Sequence, residues 1–158
     1  MSRHSTLLFS LLAALLTLTC LQGCGESPMA QAAGTYELDK ATVKAAMQAE
    51  IEKTEDAQKK AELTMGLGMV DLMTMNLILE AEGAASLEMA IQAPGMSDSQ
   101  NLTGTWTLDG ATISITMAEE GDEPETVTGT LRDDVVTLTL PEEEGMPFDL
   151  VFNRKPDA

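Results

Sequence analysis

The segment Gly104-Thr105-Trp106-Thr107-Leu108-Asp109-Gly110-Ala111-Thr112-Ile113-Ser114-Ile115-Thr116-Met117 decides the fold class. Leu102, Trp106 and Leu108 share one parity, and Thr103, Thr105 and Thr107 hold the other. After Asp109-Gly110, the residues Ile113, Ile115 and Met117 alternate in the same way with Thr112, Ser114 and Thr116. Successive strand side chains point to opposite faces, so a period of two marks two half-buried strands. Asp-Gly tolerates the positive φ of a tight turn, which makes the pair a hairpin.

The same pattern extends in both directions. Met73, Met75, Leu77 and Leu79 share a face against Thr74, Asn76 and Glu80, followed by the turn dipeptide Glu82-Gly83. Leu87, Met89 and Ile91 repeat it, as do Val136, Leu138 and Leu140 after the polar break Arg132-Asp133-Asp134. Phe148, Leu150 and Phe152 complete the set. Residues 34–43, Gly-Thr-Tyr-Glu-Leu-Asp-Lys-Ala-Thr-Val, echo residues 104–113, and Gly129-Thr130-Leu131 is a weaker echo. This is repeated strand grammar, without the strict period of a repeat family.

One stretch has a different rhythm. Asp39 follows the first strand and is a good N-cap. Val43, Met47, Ile51 and Thr54 then recur at helical spacing among Lys44, Glu50, Lys53, Lys59 and Lys60. The pattern predicts one long helix to about Leu63. It should fray at Gly66 and Gly68, since glycine costs ~1 kcal/mol in a helix interior.

The expected fold is therefore mainly β (α+β). It is an antiparallel up-and-down meander of about eight strands, curled or closed into a barrel, with one long helix between strands 1 and 2. Closure removes exposed edges, and an eight-stranded interior is side-chain-filled or holds one small ligand. The layout resembles small bacterial lipocalin-like lipoproteins, and calycins more loosely, over about residues 34–155. That resemblance implies a small binding barrel and assigns no ligand-binding residues. The inward face itself nominates Met73, Met75, Leu77, Met89, Trp106, Ile115 and Phe148 as ligand-facing, although Met and Trp at such positions also serve as ordinary core.

The N-terminus carries an address. A basic start, with Arg3, precedes an apolar run over residues 7–21 that is short of the ~20 needed to span a bilayer. That is the layout of a secretory signal peptide. The run ends in Leu21-Gln22-Gly23-Cys24, which resembles the lipobox of bacterial lipoproteins. The resemblance implies a diacylglyceryl thioether on Cys24, cleavage before it, and a further acyl chain such as palmitate on the new amino terminus. Gly25, where an inner-membrane lipoprotein would carry Asp, points by the same resemblance to the outer membrane, facing the periplasm. Cleavage after Ala30-Gln31-Ala32 is the alternative, although that site lies far beyond the apolar core. The organisation read this way is signal peptide 1–23, lipidated Cys and flexible tether 24–33, and one β domain 34–158. Cys20 leaves with the signal peptide, so no disulfide is expected.

In a meander, alternate connections fall at one end. The helix and the loops expected at 94–100, 119–125 and 141–147 should share that end. It gathers Glu119, Glu120, Asp122, Glu123, Glu125, Glu142, Glu143 and Glu144, with Asp98 beside them. Such a rim can be a solvated face, a docking surface for a basic protein partner, or a weak cation site. No EF-hand spacing supports the last, so no metal is assigned.

The 158 residues suit one domain, and the formal net charge of -17 disfavours nucleic acid. The only histidine is His4, inside the signal peptide. Without it no Ser-His pair can form, and no Ser-x-x-Lys appears. The sequence therefore reads as a non-catalytic protein needing no cofactor. It is expected to be anchored to the cell envelope through a lipid and to bind a small apolar ligand; the alternative is a protein-interaction or structural lipoprotein docking through its acidic rim.

Overall fold

The computed structural model describes residues 26–93, 95–118, 123–140 and 148–156. Eight strands run β1 (Gly34–Leu38), β2 (Met73–Leu79), β3 (Ala84–Ala93), β4 (Met96–Asp109), β5 (Thr112–Ala118), β6 (Glu125–Arg132), β7 (Val135–Thr139) and β8 (Leu150–Arg154). Each pairs antiparallel with the next, and β8 pairs with β1 to close the barrel. The closing register sets Tyr36 against Arg154 and Leu38 against Phe152. The meander and the barrel follow the alternation in the sequence.

The inward parity forms the core. Tyr36, Leu77, Leu79, Trp106, Ile113, Val136 and Phe152 are almost wholly buried. Burying each such apolar side chain contributes roughly 1.5–3 kcal/mol. Two inward positions are glycine. A Cβ on Gly104 would overlap the Thr116 carbonyl oxygen of β5, and one on Gly129 would overlap the Thr137 carbonyl oxygen of β7. Backbones approach that closely where a sheet bends sharply, so these glycines mark corners of the barrel.

The two barrel ends differ. The β2–β3, β4–β5 and β6–β7 connections are tight turns at one end. Gly83 and Gly110 have φ of 92° and 60°, and Asp133 and Asp134 have φ of 48° and 63°. A short helix, α1 (Pro28–Ala32), lies at this end, N-capped by the Ser27 hydroxyl, with Met29 packed on the core. Part of the stretch expected to be a flexible tether is thus folded. Its Ala32 is buried and its carbonyl accepts from the Tyr36 hydroxyl at 2.6 Å.

At the other end the expected single helix is two, α2 (Lys40–Lys53) and α3 (Ala57–Val70). The break falls at Thr54-Glu55-Asp56 and not at the glycines. Asp56 caps α3 by accepting from the amides of Gln58 and Lys59, as Asp39 caps α2 through those of Ala41 and Thr42. These bonds favour the ionised carboxylates and hold both below the usual Asp range. Gly66 sits inside α3, where an added Cβ would lie 3.0 Å from the Met47 Cε of α2. The glycine that seemed a helix breaker is where the two helices meet. Lys44 of α2 bonds the Asp71 carboxylate at 2.8 Å, which ties α3 back to α2 and keeps Asp71 ionised to lower pH.

The expected 94–100 loop is also corrected. Residues 96–100 belong to β4 and pair with β3 from Ala93↔Met96 to Met89↔Gln100, with Gly95 at φ 82° in the turn. Ser97, Asp98, Ser99, Gln100 and Asn101 are exposed, so strand pairing there leaves no apolar alternation to read.

Candidate functional site

Inside the barrel lies a cavity of about 400 Å³. Its wall takes alternate residues of the strands that line it, apart from Ala118 at the end of β5. Met75 and Leu77 come from β2, Leu87 and Met89 from β3, Ile115 and Met117 from β5. Leu138, Leu150 and Phe152 close the circuit from β7 and β8. Of its sixteen lining residues among those described, thirteen are apolar; the other three are Gln100, Glu123 and Glu125. Gln100 and Glu125 share the inward parity of Leu102 and Val127, one step nearer the helix-bearing end. Polar groups therefore gather at the mouth and hydrocarbon and thioether fill the depth.

A second cavity of about 250 Å³ lies between the helix pair and the barrel. Val43 and Met47 of α2, and Leu63, Met69 and Val70 of α3, face Met73 and Ile91 across it. Every described lining residue is apolar or glycine, and Met75 and Leu150 line both cavities. The two spaces thus adjoin through two shared side chains.

The opposite end is a floor. Trp106 is 1% exposed and donates from its indole Nε1 to the Glu80 carbonyl at 2.8 Å. Its own amide bonds the Gly83 carbonyl. Arg154 reaches across the seam to the carbonyls of Gln31 and Ala33 and to the Asp134 carboxylate. Tyr36, buried beside it, has its phenol pushed above 10.0 by burial, against the opposing pull of Arg154.

Six of the seven nominated ligand-facing residues therefore line a cavity. Met75, Leu77, Met89 and Ile115 face the barrel space; Met73, Met75 and Phe148 face the helix-covered space. Trp106 is the exception, because its bond to Glu80 holds it in the floor. Parity alone cannot separate wall from floor; position along the strand does. The second cavity could not be read from the sequence, since it needs the helix pair to fold back.

Cys24 lies outside the described residues, as do Glu119, Glu120, Asp122, Glu142, Glu143 and Glu144 of the acidic rim. Glu123 is described and is exposed at the cavity mouth. Among the described residues, no group of three or more His, Cys, Asp or Glu is placed to hold a metal ion. The chain matches no model of a known protein family and no curated protein.

Proposed function

We propose that the chain is a non-catalytic binding barrel for a small apolar molecule, carried on the cell envelope by a lipid on Cys24. The barrel cavity of about 400 Å³ carries the binding half of this reading. Ligand sites are concave, mostly apolar and hold a few placed polar groups, as this one does. The apolar depth of such a space favours an apolar guest over water. Met75 and Met89 can adjust their flexible thioethers to a guest's outline.

The anchoring half rests on the apolar run and on Leu21-Gln22-Gly23-Cys24. Cys24 precedes the Ser27 cap of α1 by three residues, a reach of at most roughly 10 Å. A lipid there would hold the floor of the barrel beside an outer membrane and turn the cavity mouth toward the periplasm.

Native mass spectrometry of the purified full chain tests the binding. One molecule of dodecan-1-ol should add per chain and leave on unfolding. A chain that stays bare at saturating alcohol overturns the reading. Cys24→Ala tests the anchor: it should leave unprocessed, unacylated precursor. Normal cleavage and release of that variant would contradict it.

A further inference from the structure

We infer that the cavity selects single-chain amphiphiles by head charge, taking a cationic or uncharged head in preference to an anionic one. The inference rests on the binding reading above and names its ligand class. The chain part follows from the two cavities. They adjoin at Met75 and Leu150, and their remaining walls are hydrocarbon, thioether or backbone apart from the mouth. The apolar depth of the barrel space suits a single extended hydrocarbon chain.

The head part follows from charge. Among the described residues, the only polar side chains on either wall are Gln100, Glu123 and Glu125, all on the barrel cavity. Among the described residues, no Lys or Arg lines either space. Two cations at the ends of the barrel are held by other partners: Lys44 bonds Asp71 at the helix-bearing end, and Arg154 bonds Asp134 and two backbone carbonyls at the floor. A guest whose chain fills the apolar depth must leave its head at the mouth, beside Glu123 and Glu125. An anionic head there would face two carboxylates with no cation among the described wall residues, in a chain whose net charge is already -17. A cationic head would meet opposite charge, and a hydroxyl could bond a carboxylate.

The test compares three probes of equal chain length at pH 7: dodecyltrimethylammonium and dodecanoate below their micelle concentrations, and dodecan-1-ol below its solubility limit. Calorimetric titration of the full chain should rank the ammonium first, the alcohol second and the carboxylate last. Dodecanoate should bind roughly tenfold or more weaker than the ammonium at low salt. The ratio should shrink as salt screens the mouth. Replacing both carboxylates, in Glu123→Gln/Glu125→Gln, should lower the ammonium-to-carboxylate ratio; both side chains are exposed, so the barrel should tolerate the change. Met75→Trp, which places a larger side chain in the cavity wall, should weaken all three probes. Dodecanoate binding as tightly as the ammonium would overturn the head preference and leave the cavity reading intact. So would a ratio unmoved by the double variant. Failure of all three probes to bind would overturn both.

Discussion

The Arg154 guanidinium lies 5.9 Å from the centroid of the Tyr36 ring, across the seam where β8 closes onto β1. One side chain thereby joins four parts of the molecule. It covers Tyr36 of β1, bonds the Asp134 carboxylate in the β6–β7 turn, and caps the carbonyls of Gln31 and Ala33 beside α1. Only the planar fork of Arg offers donors in that arrangement. Arg154→Ala should cost roughly 1–3 kcal/mol, because it leaves the partly buried Ala33 carbonyl without its partner. Urea unfolding measures it. Arg154→Lys should restore less than half of the loss; full restoration would reduce the role to a simple charge.

Tyr36 gives a second test at alkaline pH. Its hydroxyl donates to the Ala32 carbonyl at 2.6 Å, and burial raises its pKa above the ordinary 10.0. A folded pKa above the unfolded one means stability that is fully present below about pH 10 and is lost as pH rises through the folded value. Tyr36→Phe should cost about 1 kcal/mol at pH 8. It should also remove the extra loss of stability above about pH 10. Parallel pH profiles for the two proteins would contradict this.

The glycines divide by environment. Gly104→Ala and Gly129→Ala should each destabilise by ~2 kcal/mol or more, since neighbouring backbone must move. Gly68→Ala should act the other way. Gly68 is exposed in α3 with nothing within 4 Å of an added Cβ, and alanine is the better helix former by about 1 kcal/mol. Thermal unfolding of the three variants separates the signs.

Acid should loosen the helix-bearing end. Asp39 and Asp56 are held below their ordinary 3.8 chiefly by the backbone amides they cap, and Asp71 chiefly by Lys44. Lowered folded values give stability that is present above about pH 4 and fades as pH falls through them. Far-UV circular dichroism from pH 6 to pH 2 should lose helix signal before the barrel signal. Simultaneous loss would show that these carboxylates do not act on the helices separately.

The sequence showed the barrel plainly because each strand carries an apolar parity that only one face can bury. Asp39 was equally legible, since a capping carboxylate acts on its own next residues. The break at Thr54-Glu55-Asp56 was not, because Gly66 reads as a breaker until Met47 is placed against it. Residues 96–100 were hidden for the opposite reason: Ser97, Asp98 and Ser99 are polar on both faces of a paired strand. Within the site, Met75, Leu77, Met89 and Ile115 followed from parity. Trp106 did not, because its depth along the barrel is set by a bond to the distant Glu80.

Trp106 is the only tryptophan and lies in the floor, paired across β4 and β5 with the cavity-lining Ile115. It is a built-in donor for energy transfer to an uncharged naphthyl probe, N-phenyl-1-naphthylamine. Titrating the full chain while exciting Trp106 tests the central claim most directly. An occupied barrel cavity predicts transfer that saturates at one probe per chain, is displaced by dodecan-1-ol, and is lost in Met75→Trp after correction for the added indole. Transfer that never saturates, or that dodecan-1-ol and Met75→Trp leave unchanged, would contradict binding inside the barrel.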